Sequence, residues 1–271
     1  TSTFSFLRGA SHPGDFVKRA IELGHAGVGI ADRNSVAGVA RAYGALNDIR
    51  AAVREAGGPA LAFKLAVGAR LVFADETPEI LAFPQNRAGW GRLCRLLTTG
   101  NRRAEKGECI LWQDDLFAHA QDLLLVAMPG PATNAAILSR LAEAAPVWLA
   151  ADRPHGRGDR RRILGLKAMA AAARVPLLAV NDALYHDPAQ RPLQDVLTCI
   201  REGVTLEAAG RRLAANAERH LKSPAEMARL FRDAPEAVAE STRLLQRITF
   251  TLAELSYTYP DEPVPSGKSP Q

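Results

Sequence analysis

The sequence predicts an α/β fold built on a mostly parallel sheet, open or closed into a barrel. Two observations carry this. Six short, β-rich apolar runs alternate with longer stretches of helical periodicity, and helix start and stop signals fall between them. A third observation, a change of pattern after about residue 203, predicts a helical extension on that core.

Residues 1–7, TSTFSFL, read as the tail of a strand running into a turn, and the missing initiator Met predicts a chain that begins inside a longer protein. Helix 13–23 has Pro13 in its first turn and Gly24 just past its last, the expected start and stop. Strand 26–31 follows. In helix 36–56, Val36, Val39, Ala40, Tyr43, Leu46, Ile49 and Val53 approximate a 3.6-residue stripe. Strands 65–73 and 80–83 lead to helix 87–97, strand 123–127 to helix 132–144, strand 147–150 to helix 159–173, and strand 177–180 to helix 189–202. Beyond 203, Ser223-Pro224-Ala225-Glu226-Met227 reads as a capped helix start and 235–245 as a second helix. From Tyr257 to Pro270 the chain is Pro-rich and polar, the composition of an extended connector.

The 271 residues are 47% hydrophobic and 23% charged, ordinary for a soluble globular protein. No apolar run approaches the roughly 18 residues a membrane span needs, and no secretory leader is visible. Cys94, Cys109 and Cys199 are scattered and fit no finger spacing, so reduced, cytoplasmic thiols are expected. The net charge of +5 suits a nucleic-acid or acidic partner and also a merely arginine-rich genome.

Functional groups in parallel α/β folds gather just beyond the C-terminal ends of strands. Those positions hold Asp32-Arg33-Asn34, Arg70, Asp152-Arg153-Pro154-His155 and Asn181-Asp182. A hydrolytic metal centre needs clustered His, Asp and Glu, whereas guanidiniums stay protonated and do not ligate metals. The rim therefore reads as an Asp/Arg ion-pair cluster, in which Arg70 or Arg153 bridges Asp32 and Asp182. Capping of strand-end loops is the alternative role for the two aspartates. His155 reads as a loop residue, His12 as a helix-start residue, Asp114-Asp115 as the start of a helix, and residues 102–107 as a basic loop. No phosphate-binding glycine loop or GxSxG elbow is present.

Thr1-Ser2-Thr3-Phe4-Ser5-Phe6-Leu7-Arg8-Gly9-Ala10-Ser11 resembles the opening of the PHP (polymerase and histidinol phosphatase) domain of bacterial C-family DNA polymerases. GIADRNSVAG at 29–38, VGARL at 67–71 and NRAGWGRLCRLLT at 86–98 are similar to that family's next landmarks. Lys106-Gly107-Glu108, Asp187-Pro188 and Asp195-Val196-Leu197 fit later ones, so the resemblance spans essentially the whole chain. It implies a distorted (β/α) barrel of PHP type over 1–203 with its first strand truncated, a helical C-terminal extension over 204–255, and a connector over 256–271. It implies further that the full-length protein is a cytoplasmic, error-prone DNA-directed DNA polymerase of damage-induced translesion synthesis. Such an enzyme uses DNA, dNTPs and Mg²⁺ through a core outside this chain, with other translesion or replisome proteins as partners and no membrane.

The family's metal ligands fall on Thr1, Arg33, Arg70, Arg153 and Leu184 here, and only Asp32 and Asp182 match. The resemblance thus implies a degenerate rim (Asp32, Arg33, Arg70, Arg153, Asp182, Leu184) with no catalytic residue, no metal and no cofactor, in a domain that serves as a scaffold. A stand-alone PHP-type metal-dependent phosphoesterase is the rival, and it needs ligands where arginines stand. A basic nucleic-acid-binding module lacks aromatic-basic interleaving.

Overall fold

The computed structural model describes residues 1–156 and 158–256. Its strands are β1 (Gly27–Arg33), β2 (Lys64–Leu71), β3 (Ile80–Pro84), β4 (Leu123–Ala127), β5 (Val147–Ala151) and β6 (Leu177–Ala179), in one sheet that follows chain order. β1/β2, β4/β5 and β5/β6 pair parallel, as expected. β3 departs from the expectation: it is antiparallel to both neighbours. The connection 72–79 is shorter than the roughly dozen residues of a parallel crossover, so the chain must turn straight back after β2.

Helices α1 (Pro13–Glu22) and α2 (Ala37–Glu55) flank β1, and α3 (Arg87–Arg103) and α4 (Gln113–His119) join β3 to β4. Then α5 (Ala135–Ala144) and α6 (Asp159–Ala173) connect the parallel strands β4, β5 and β6. After β6 come α7 (Arg191–Glu202), α8 (Leu206–Ala209), α9 (Pro224–Leu230) and α10 (Pro235–Arg247). Gly24, at φ +79°, ends α1 in the left-handed conformation that favours glycine. Asp114 and Asp115 do start α4, where Asp115 accepts the Trp112 amide at 2.9 Å. Two boundaries differ from the sequence reading. Residues 1–7 form turns rather than a strand, and Arg102 and Arg103 close α3 rather than lying in a loop.

Strand alternation divides the core. Ala69, Leu71, Ile80, Ala82, Leu125 and Leu149 point outwards beneath α3 to α6, while Ile30, Leu65 and Val67 lie under α1 and α2. On the concave side, Ala31, Ala66, Phe83, Leu124, Trp148 and Leu178 converge from all six strands. Leu244 of α10 and Ile248 fill that concavity. Each buried Leu, Ile or Phe among them contributes roughly 1.5–3 kcal/mol. The expected distorted barrel is therefore a curled half-barrel, wrapped around its own C-terminal helix instead of closing on itself. Phe231, Ala234 and Ala237 likewise join the outer core, so residues after 203 complete the fold. The connector from residue 257 onward lies outside the described residues. Among the described residues, no helix is long and apolar enough to cross a membrane.

Candidate functional site at the strand-end rim

Asp32 and Arg33 end β1 side by side, so the pleat must send them to opposite faces. Register makes this concrete: Asp32 sits beside Ala69, which faces the outer core, and Arg33 sits beside Arg70. Asp32 is 1% exposed and accepts the Ser2 amide at 2.6 Å, the Ser2 hydroxyl at 2.7 Å and the Ser5 hydroxyl at 2.7 Å. Gly38 closes the cage, since a Cβ there would stand 2.6 Å from Asp32 Oδ2. The carboxylate thus pins the N-terminal turns to the sheet. It meets no guanidinium among the described residues, which corrects the expectation that an arginine bridges it to Asp182.

Asp182 is the centre of the ion-pair network. Its φ of +45° is one that Asp tolerates better than most residues, and it follows β6 where the chain leaves the sheet. Arg70 of β2 donates to one carboxylate oxygen and Arg219 to the other, while Arg219 Nε also donates to the Asp182 carbonyl at 3.0 Å. Burial pushes the Asp182 carboxyl up, but the Arg219 and Arg70 guanidiniums outweigh it and hold it below its ordinary value. Arg70 donates its other arm to Glu79 at 2.8 Å, and Arg33 reaches Glu79 at 3.5 Å. The chain of charges runs Arg33–Glu79–Arg70–Asp182–Arg219. Burial, with Arg8 and Arg70 close by, pulls the Arg33 guanidinium down from its usual range.

Arg153 stands apart from this network, a second correction. It pairs with Asp233 and stacks over Phe231, pinning the loop after β5 to the C-terminal helices. Asp152 pairs with Arg162 of α6. Leu184 takes part through its backbone: its carbonyl accepts the Ala10 amide and its amide donates to the Arg219 carbonyl, each at 2.8 Å. His155 meets Glu218 at 3.2 Å, and His186 accepts or donates at Ser11 Oγ. Sequence reasoning missed Glu79 and Arg219. Glu79 becomes visible once the 72–79 connection is read as a tight return, which sets it two residues before Leu81, the register partner of Arg70, and so diagonal to Arg70. Arg219 lies in an irregular segment with no periodicity to place it.

Between the rim and α7 lies a cavity of about 410 Å³ lined by Arg8, Arg33, Arg70, Arg201, Arg212 and Arg219, against Glu79, Asp182 and Asp195. Cations outnumber carboxylates there, and the donors are of the wrong kind to ligate a metal ion. Among the described residues, no group of three or more His, Cys, Asp or Glu is placed to hold one. A catalytic metal therefore does not fit the residues of this rim.

The profile of the PHP domain family matches residues 1–157. The chain belongs to the PHP domain family. Curated relatives carry this PHP chain at about half identity. "Error-prone DNA polymerase" of Bradyrhizobium diazoefficiens is 51% identical over 282 residues, covering 100% of this chain and 24% of that protein. The protein of the same name in Rhodopseudomonas palustris is 54% identical over 280 residues, again with 100% and 24% covered. The chain spans about a quarter of the length of these relatives. Among solved structures, a protein of Bifidobacterium adolescentis assigned as a metal-dependent phosphoesterase aligns with a TM-score of 0.45 at 16% identity, covering 67% of this chain and 84% of that one.

Proposed function

We propose that this PHP domain is the N-terminal part of an error-prone DNA polymerase of damage-induced mutagenesis and translesion synthesis, and that it serves there as a metal-free scaffold. The observation that carries the scaffold reading is the grip of Arg70 and Arg219 on Asp182. Fixed guanidiniums occupy the strand ends and supply the positive charge that bound cations would otherwise bring. The polymerase reading is supported by the relatives' shared name and by their similarity along the whole chain. On this reading, residues 1–203 are the PHP domain, 204–255 its helical extension and 256–271 the connector to a polymerase core. That core takes template DNA, dNTPs and Mg²⁺ in the cytoplasm, alongside other translesion or replisome proteins. The fragment alone neither polymerises nor degrades DNA.

The test uses the intact protein. Primer extension across a damaged template should require Mg²⁺, and the same preparation should show no metal-dependent 3′ degradation. A nuclease signal that disappears on Asp32→Ala would overturn the scaffold reading, as would stoichiometric tight Zn²⁺ or Mn²⁺ at the rim. The rival, a PHP-type phosphoesterase, would hydrolyse a chromogenic phosphomonoester and fail to extend a primer.

A further inference from the structure

Helix α7 is turned inside out. Leu193, Val196 and Ile200 recur at spacings of three and four, which sets them on one face, and they are 45%, 40% and 59% exposed. The face turned to the rim carries buried Gln194 and Thr198, with Asp195 and Arg201 lining the arginine cavity. Polar bonds hold this inward face: Arg191 pairs with Asp195 at 2.7 Å and donates to the Ala214 and Asn216 carbonyls. The apolar stripe is left over. Half-exposed Leu206 of α8 follows it, and Arg201 donates to the Leu7 carbonyl at 3.0 Å, fixing the turn that presents exposed Phe6.

A contiguous apolar face with a polar surround marks an interaction site. Its occupant follows from length: about three quarters of each long relative lies outside the region this chain matches. One helix face is far short of the roughly 1,000 Å² that a stable pairing of two free copies requires. A covalently tethered partner needs much less, because the tether sets a high effective concentration. We propose that the outer face of α7 is the docking surface for the part of the polypeptide outside this chain, which offers it a complementary apolar groove. This rests on the scaffold reading and gives it contact residues. The partner sits on the helix whose other face is bound to the arginine rim, so the rim's ion pairs stiffen the platform.

Hydroxyl-radical footprinting of the intact protein, read by mass spectrometry, tests this. Leu193, Val196 and Ile200 should be labelled several-fold less than Leu164 of α6, which at 59% is as exposed as Ile200 and only somewhat more exposed than the other two. Equal labelling overturns the proposal. In the Val196→Asp/Ile200→Asp variant, Leu193 should become as reactive as Leu164 while buried Leu166 stays protected, which separates undocking from unfolding. Persistent protection of Leu193 in that variant also overturns it. So does protection that vanishes on dilution in step with dimer dissociation, since the occupant is then a second copy. Primer extension by the wild-type protein reports separately on the polymerase reading: a labelled stripe with normal extension refutes the docking face alone, and a protected stripe without extension refutes the polymerase alone.

Discussion

Arg70 and Asp182 lie 112 residues apart in the chain and meet as an ion pair across the mouth of the half-barrel, from the end of β2 to the turn after β6. Their side chains are only 13% and 17% exposed, so the pair is largely out of water. Asp182 has a second guanidinium in Arg219, and Glu79 has a second in Arg33, so removing Arg70 leaves neither carboxylate bare. Arg70→Ala should cost about 1–3 kcal/mol, below the roughly 3–5 kcal/mol of a buried pair with no substitute partner. Thermal melting should show a drop of several degrees. Arg229→Ala is the control: it removes an exposed arginine whose contact with Glu226 is 3.8 Å, and the melting temperature should hardly move. Equal behaviour of the two variants would mean that the rim network does not stabilise the fold.

The same pair sets a pH dependence. The folded Asp182 carboxyl lies below its ordinary value of 3.8, so the unfolded chain takes up the proton first. Its stabilising contribution is fully present above 3.8 and is lost as pH falls through the lower folded value. Wild-type stability should therefore decline below about pH 4, and Asp182→Asn should flatten that decline. Arg70→Ala should make that loss smaller, because one of the groups holding the carboxyl down is gone and the folded value moves back towards 3.8. Melting curves between pH 6 and pH 3 in the three proteins decide it.

Asp32→Ala should destabilise for a different reason. Three donors, the Ser2 amide and the Ser2 and Ser5 hydroxyls, lose their acceptor inside a sealed cage. Leaving buried donors unmade costs about 1–3 kcal/mol per group, less whatever the hydroxyls recover by rotating. Asp32→Asn keeps an acceptor and should lose clearly less. Chemical denaturation of the pair reads this directly, and an Asn variant as unstable as the Ala variant would mean that charge, not acceptor geometry, holds the cage.

The six strands were legible because each is a short apolar run between punctuating residues, and Gly24 ended α1 where its position demanded. The direction of β3 was present in the shortness of 72–79 but needed that length to be weighed. The rim was half legible. Arg70 and Asp182 stand at strand ends, where the fold gathers side chains, yet Asp32 was grouped with them although its neighbour Arg33 had to face the other way. Arg153 and Asp152 follow β5 but are drawn off by Asp233 and Arg162, partners that only tertiary packing supplies. Arg219 could not be placed at all, because nothing local fixes an irregular segment that bonds to the strand-end turn through long-range carbonyl contacts.

Reversing the charge at position 70 gives the sharpest test of what now holds the rim. Arg70→Glu would set a third carboxylate beside Glu79 and Asp182, leaving Arg219 on Asp182 and Arg33 on Glu79 as their direct ion-pair partners. Like charges sharing a partly buried site raise one another's pKa, so at neutral pH the variant should be less stable than Arg70→Ala. Its pH dependence should also reverse relative to wild type: with a raised folded value, stability is gained as pH falls from 7 towards 5. Three clustered carboxylates offer oxygen ligands that the wild-type rim lacks, so Mn²⁺ or Ca²⁺ should raise the melting temperature of the variant and leave wild type unchanged. Melting curves with each metal and with EDTA would show this. A wild-type protein stabilised by the metal as much as the variant would refute the view that guanidiniums hold the rim in place of cations.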